Sequence, residues 1–313
     1  MYKNHKIGLI IPAYNESENI GAVLVAIPDY VDITLVVNDG SSDNTVEVAQ
    51  KQQVKIVSHS KNKGLGATFK TGVSSMLATD MDIVVNMDAD GQFKPKDISR
   101  LLDPIIGAQA EFTTASRFIH ADYVPVMPLV KKWGNLLMSM LISRLTGQKF
   151  YDVSCGFRAY KREVLNRLNL FGSFTYTQET FVDLAFKDIH IKEVPVKVLG
   201  KREIGKSRIA SNLFHYAYQT SKIILKTFRD YKPFQLFGFV ALLLFIIALF
   251  LLSIMFYHKF TSGSFTPYKW LGFAGGAALL VGGIFLLLGF ILDMFARMRN
   301  NQEEILFHLK NKK

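Results

Sequence analysis

Asp88, Ala89 and Asp90 close an apolar run in VVNMDADGQF, residues 84–93, and Gln92 follows, so two carboxylates and an amide stand two positions apart. Like charges at the end of a hydrophobic segment repel one another unless a cation lies between them. A divalent ion removes that repulsion and favours the ionised forms. Mg²⁺ or Mn²⁺ suits the pattern, because such an ion takes few protein ligands and completes its shell with water and phosphate oxygens. The candidate metal ligands are therefore Asp88, Asp90 and Gln92. A D-x-D alone is also a common loop, so the motif gains weight only from its neighbours.

Those neighbours are polar clusters that end other apolar runs. IPAYNE carries Pro12, Tyr14 and Glu16, and VVNDGSSDNT carries Val37, Asn38 and Asp39 in a turn that opens a helix at Thr45. HSKNKGLGATFKTG, residues 59–72, sets Gly64 and Gly66 ahead of a helix expected from Ala67. Glycines before a helix N-terminus let the backbone approach a ligand closely. Downstream, ASR (115–117), DVSCGFRAY (152–160), YTQETFVDLAFK (176–187) and REIGKSR (202–208) add Arg117, Asp152, Ser154, Gln178, Glu179, Arg202 and Arg208. Arginine suits bidentate contacts with phosphate.

A scaffold must gather these clusters. From residue 6 to about 117, IGLIIPA, ITLVVND, VKIVSHS and DIVVNMDAD alternate with the helical patterns SENIGAVLVAI, NTVEVAQKQ, GATFKTGVSSMLA and PKDISRLLDPII. Strand and helix in alternation predict an α/β fold with a mainly parallel sheet covered on both faces. Ligands of such sheets bind beyond the carboxyl ends of the strands. AYNE, NDGSSD and DADGQ all follow strands, which makes three separated motifs one site.

Over roughly residues 6 to 210, the ordered motifs resemble the nucleotide-sugar glycosyltransferases of the GT-A type, in the inverting family 2. The resemblance implies a Rossmann-like GT-A catalytic domain over residues 1–210. It implies that Pro12, Tyr14, Glu16, Val37 and Asp39 embrace base and ribose, that the segment with Gly66 lies beside the nucleotide, and that Asp88, Ala89, Asp90 and Gln92 meet the metal and diphosphate. Asn38 stands where Asp is common in the family, a change expected to loosen base or ribose recognition. ASR, DVSCGFRAY and REIGKSR resemble more narrowly the polyprenyl-phosphate branch, typified by dolichol-phosphate mannose synthase. Its members carry S-R, D-x-x-x-G-F-R and R-x-x-G-x-S-K, and here Arg208 replaces the final Lys, which keeps the charge but alters reach and fork geometry. By this resemblance Arg117, Lys131, Ser154, Arg202 and Arg208 grip donor and acceptor phosphates. Gln178 and Glu179 are expected to orient the sugar, and Asp152 to position the acceptor loop.

The C-terminal third has a different character. FQLFGFVALLLFIIALFLLSIMFY (234–257) carries no charge, and as a helix it would be roughly 36 Å long, enough to cross a hydrocarbon core of about 30 Å. WLGFAGGAALLVGGIFLLLGFIL (270–292) is similar, so a transmembrane hairpin over 233–293 is expected. Lys222, Lys226, Arg229, Lys232, Arg297 and Arg299 flank it, against Lys259 and Lys269 in the loop. That bias places the catalytic domain and a basic tail, residues 294–313, in the cytoplasm, at the cell membrane or the endoplasmic reticulum membrane. The opening run is too short for a secretory signal. Gly275, Gly276, Gly282 and Gly283 suggest close helix approach, and with it a homo-oligomer. Residues 127–146 and 211–232 read as basic amphipathic helices lying in the membrane interface, the alternative being ordinary core-facing helices.

The net charge of +11 fits anionic lipid or a phosphorylated substrate better than nucleic acid, for which no binding signature is present. The single cysteine, Cys155, excludes an intramolecular disulfide and a structural zinc cluster. The expected reaction is metal-dependent, inverting transfer of one sugar from a nucleotide diphosphate sugar, GDP-mannose or a UDP-glucose or UDP-hexosamine donor, to a polyprenyl phosphate. Three rivals stand beside it. A processive polysaccharide synthase would carry Q-x-x-R-W, which neither Trp133 nor Trp270 forms part of. A transferase to a hydroxyl of another membrane lipid would need a general base. A membrane-anchored nucleotide-sugar-binding protein would have no use for an intact Asp88, Asp90 and Arg202.

Overall fold

The computed structural model describes residues 1–127, 129–169, 176–199, 221–222, 225–226 and 229–311. The chain divides into two compact units, Met1–Ile224 and Leu225–Lys313. In the first, seven strands form one sheet: β1 (Ile7–Ala13), β2 (Ile33–Asn38), β3 (Lys55–Ser58), β4 (Ile83–Asn86), β5 (Phe112–Ser116), β6 (Arg158–Lys161) and β7 (Ile191–Pro195). Their spatial order is β3-β2-β1-β4-β6-β5-β7. β1 pairs in parallel with β2 and β4, β2 with β3, and β5 with β7. The sheet is mixed, because β6 runs antiparallel to both β4 and β5.

Apolar residues run continuously along β1, β2 and β4 because both faces of the sheet are covered. Ile7, Leu9, Ile11, Val36, Ile83 and Val85 point into one core with Ile20 and Val23 of α1 (Ile20–Val25) and Leu101 and Leu102 of α4 (Ile98–Ile106). Ala49 of α2 (Thr45–Gln50) joins that core. Ile10, Leu35, Val37 and Val84 point the other way, toward Phe69 of α3 (Leu65–Leu77), Ile142 of α5 (Leu129–Thr146), Val164 of α6 (Arg162–Arg167) and Phe181 of α7 (Thr177–Phe186).

α5 keeps apolar residues on its outer side as well as toward the core. Leu129 and Trp133 are 71% and 66% exposed, and Leu136, Leu137, Met140 and Leu141 are exposed beside them, whereas Ser139 is buried. The helix therefore has both characters: Ile142 and Met138 pack into the core, while a contiguous apolar stripe faces outward. Most of the helix expected over 211–232 lies outside the described residues.

In the second unit, α8 (Pro233–Ser262) and α9 (Lys269–Asn311) are both long and apolar enough to cross a membrane. They pack as a hairpin: the rings of Phe234 and Phe237 lie tilted against those of Phe290 and Phe285, and a Cβ on Gly275 or Gly282 would come within 2.8 or 2.7 Å of Leu252 or Phe245. Two of the four glycines expected to serve an oligomer thus serve the hairpin, while Gly276 and Gly283 meet nothing within 4 Å. α9 continues beyond its apolar stretch, so the basic tail is helical as far as Asn311.

Candidate active site

The strand order turns between β1 and β4, the place at which open α/β sheets receive ligands. Pro12 lies opposite Val37 and Ala13 opposite Asn38 across β1 and β2, and Met87 N donates to Ile10 O across β1 and β4. IPAYNE, NDGSSD and DADGQ therefore emerge together.

On the first side of this edge, two turns are sewn to each other. Asn15, at φ +51° in the left-handed region that Asn tolerates, accepts from Ser42 N through Oδ1, and its own N–H donates to Ser41 Oγ. Glu16 is buried, takes a bond from Asn19 Nδ2 at 3.0 Å, and donates its N–H to Thr45 Oγ1. Tyr14 is half-buried beside it. Asn38 accepts from Ser41 N through Oδ1 and donates from Nδ2 to Ser58 Oγ. An aspartate has no donor for the second bond, so the amide here braces the turn against β3. Val37 is fully buried in the core with Leu35 and Phe69, and contributes strand backbone to the edge.

Asp39 organises the next loop. Its Oδ1 accepts from Lys63 N at 2.9 Å and lies 2.7 Å from His59 Nδ1, and its Oδ2 accepts from Gly64 N at 2.8 Å. His59 Nε2 lies 2.9 Å from Thr71 Oγ1 on α3. Gly40, at φ +69°, lets the two loops touch, since a Cβ there would meet the Lys61 backbone at 2.7 Å. Gly66 is buried in the first turn of α3, which starts at Leu65. Sequence reasoning singled out Asp39 and Gly66 but missed His59, whose partners come from two other elements.

At the mouth of β4, Ala89 and Asp90 are buried and Asp88 is half-buried. Asp90 Oδ1 accepts from Gln92 N at 3.1 Å, and Gln92 Nε2 donates to Leu199 O at 2.8 Å. The Asp88 carboxylate presses on Gly156: a Cβ at that position would lie 2.7 Å from Oδ2. Among the described residues no three His, Cys, Asp or Glu side chains converge as a metal cage. Two carboxylates beside an amide oxygen instead match the small donor set of an ion whose shell is completed by phosphate and water.

Gly156 belongs to the loop before β6, and that loop holds a second cluster. Asp152 is fully buried and receives Arg117 Nε at 2.6 Å and Nη2 at 2.8 Å, while Arg117 Nη2 also donates to Ser154 Oγ at 2.7 Å. Burial alone would raise the Asp152 carboxyl, but the Arg117 guanidinium and its hydrogen bonds outweigh burial and hold the pKa below the ordinary carboxylate value. Glu193 on β7 accepts from Tyr151 N and Asp152 N at 2.8 and 2.7 Å, and burial pushes its own pKa up. Burial, followed by the Asp152 charge, raises the Cys155 thiol to about 12.

Arg158, fully buried at the start of β6, joins this loop to α7. Its Nε donates to Cys155 O at 2.8 Å and its Nη2 to Thr177 O at 2.9 Å, with the guanidinium packed among the Phe112, Tyr176 and Phe181 rings. Gln178 and Glu179 are buried in the first turn of α7. Lys131 lies in the first turn of α5, and Arg202 and Arg208 lie outside the described residues.

The chain is similar to known proteins in both sequence and fold. The family model for glycosyl transferase family 2 matches residues 9–168. A UDP-N-acetylglucosamine–dolichyl-phosphate N-acetylglucosaminyltransferase of Methanococcus voltae is 34% identical over 181 residues, covering 52% of this chain and 72% of that one. A polyprenol monophosphomannose synthase of Mycolicibacterium smegmatis is 36% identical over 176 residues, covering 52% of this chain and 64% of that one. Among solved structures, glucosyl-3-phosphoglycerate synthase from Mycobacterium tuberculosis, in complex with Mn²⁺, UDP and glucosyl-3-phosphoglycerate, superposes with a TM-score of 0.57 at 21% identity, covering 72% of this chain and 80% of that one. The fold is that of the GT-A glycosyltransferases. The chain belongs to glycosyl transferase family 2.

Proposed function

We propose that the protein transfers a single sugar, with inversion, from a nucleotide diphosphate sugar to a polyprenyl phosphate at the cytoplasmic face of a membrane. One observation carries the reading: the Asp88 carboxylate rests on Gly156, so the acidic motif and the loop bearing Asp152 and Ser154 are walls of one site. A donor diphosphate at the first wall and an acceptor phosphate at the second would lie side by side. The printed names of two relatives, which pair a dolichyl or polyprenol phosphate with a sugar, point to the same acceptor class.

The turns of Tyr14, Glu16 and Asp39 hold the nucleotide. Asp88 and Asp90, with Gln92 beside them, would hold Mg²⁺ or Mn²⁺, which when bound offsets charge on the leaving diphosphate. Arg117, held by Asp152, lowers the repulsion between the two anions, and Lys131, Arg202 and Arg208 are assigned the same task. A phosphate monoester has its second pKa near about 6, so the acceptor oxygen is anionic at neutral pH and attacks the anomeric carbon without a general base. Gln178 and Glu179 then orient the sugar rather than move a proton. The exposed apolar face of α5 lies in the headgroup layer, and α8 and α9 anchor the chain. A membrane-bound acceptor is thereby searched for in two dimensions.

The test incubates membranes containing the full chain with radiolabelled GDP-mannose, UDP-glucose and UDP-N-acetylhexosamines plus a polyprenyl phosphate. One label should enter the organic phase, and Glu179→Gln should weaken transfer without abolishing it. No transfer with any donor, or complete loss in Glu179→Gln, contradicts the phosphate-acceptor reading.

A further inference from the structure

α5 carries two faces with different attachments. Its outward face exposes Leu129, Trp133, Leu136, Leu137 and Met140. Its inward face buries Ile142 and carries polar side chains bonded to one short segment. Ser154 Oγ donates to Asn135 Oδ1 at 2.6 Å, Ser139 Oγ donates to Tyr151 O at 3.1 Å, and Ser143 Oγ accepts from Phe150 N at 2.8 Å. The bond at Asn135 continues inward, since Ser154 Oγ accepts from Arg117 Nη2, and Arg117 is locked to Asp152. Asn135 thus links α5 to the side chain of a residue assigned to the acceptor phosphate.

We propose that Asn135 is a positioning residue that couples the seating of α5 on a lipid surface to the Arg117–Asp152–Ser154 cluster. The proposal rests on the acceptor reading above and deepens it. A contiguous apolar helix face left in water marks a membrane or protein contact. Lipid is the occupant the chain itself favours. Lys132 and Arg144 are exposed on the same helix to meet anionic headgroups, and two helices apolar enough to span a membrane follow in the same chain. A helix that rides on lipid and is bonded to the acceptor loop through rigid short side chains sets the depth and register of that loop. Asn135 makes the last link: an alanine leaves Ser154 without its acceptor on α5, and the loop loses its reference to the membrane plane.

The test uses the full chain in anionic proteoliposomes, with Asn135→Ala, Asn135→Asp, the face variant W133S/L137S/M140S and the combination of that variant with Asn135→Ala. In a Trp270→Phe background, Trp133 fluorescence should be quenched by brominated lipids. An unquenched Trp133 overturns the lipid assignment in favour of a protein partner. Hydrogen exchange of the 150–155 segment, which needs no substrate, should speed up in Asn135→Ala and in the face variant, and return toward wild type in Asn135→Asp, which keeps an oxygen acceptor. Unchanged exchange overturns the coupling. In turnover, Asn135→Ala and the face variant should each raise the KM for polyprenyl phosphate about five- to tenfold, the size of one lost hydrogen bond, with the donor KM unmoved. Their combination should lose no more than the larger single effect, whereas effects that multiply show independent sites and overturn the proposal. Wild type that moves no sugar while exchange remains coupled contradicts the proposed function and leaves the coupling standing.

Discussion

The carboxylate of Asp88 occupies the space a side chain at Gly156 would need: a Cβ on Gly156 would lie 2.7 Å from Oδ2 and 3.0 Å from Oδ1. Gly156→Ala should therefore swing Asp88 away from the diphosphate position. Turnover should fall by about a hundredfold, since displacement of about 1 Å at a reacting centre has that effect, and more Mn²⁺ should be needed for half-maximal rate. The measurement is a Mn²⁺ titration of initial rates, and an unchanged titration curve speaks against the contact having a role.

Asp152 and Arg117 form a pair in which the carboxylate is fully buried. Removing one member strands the other, so Asp152→Ala should destabilise the catalytic unit by about 3–5 kcal/mol. The pH dependence has a definite sign. The folded-state pKa of Asp152 lies below its unfolded value, so the pair contributes fully above the ordinary carboxylate range, and that contribution is lost as pH falls through the folded value. Glu193 is raised and acts oppositely, with stability falling as pH rises from the ordinary carboxylate value to its own. Thermal melts of the full chain from pH 3 to about 7 should show the acid-side loss of wild type reduced in Asp152→Asn.

His59 links Asp39 to Thr71 across the loop that the proposed function assigns to the nucleotide. His59→Ala should free the Lys63–Gly64 turn and raise the donor KM about tenfold, the size of one lost hydrogen bond, with kcat little changed. Steady-state kinetics with the donor varied check this. A fall in kcat at constant KM would place His59 at the chemistry instead.

Cys155 is buried and its thiol is raised to about 12, so the nucleophilic thiolate is scarce at neutral pH. The native chain should resist iodoacetamide at pH 8 and be labelled at one site per chain after denaturation, as counted by mass spectrometry. Rapid labelling of native protein would show that the 152–157 loop opens.

The common edge of the candidate site was legible because strand ends are legible. Hydrophobic runs that stop at AYNE, NDGSSD and DADGQ lie on parallel strands, and parallel strands in an α/β sheet share one carboxyl edge, which is how the loops of Tyr14, Asp39 and Asp88 leave the sheet on one side. The two apolar spans were legible for a similar reason, as lipid demands an uninterrupted pattern. Pairings that span distant elements were not. His59 reads as one polar residue in a loop, and only the fold sets it between β2 and α3. The outward face of α5 was ambiguous because an amphipathic pattern states that two faces exist and not which one meets the domain. Val37 resembles a ligand contact by motif, yet strand alternation turns its side chain into the core. The antiparallel β6 left no periodic signal in its four residues.

The central claim is that the acidic pair binds a donor diphosphate through a divalent cation. Calorimetric titration of the full chain with the nucleoside diphosphate of its preferred donor, in Mn²⁺ and in EDTA, tests it directly. Wild type should bind at least about tenfold more tightly in Mn²⁺, a difference of about 1.4 kcal/mol, and Asp90→Asn should lose that difference. Equal affinities in Mn²⁺ and EDTA for wild type, or a metal effect that survives Asp90→Asn, would contradict the account.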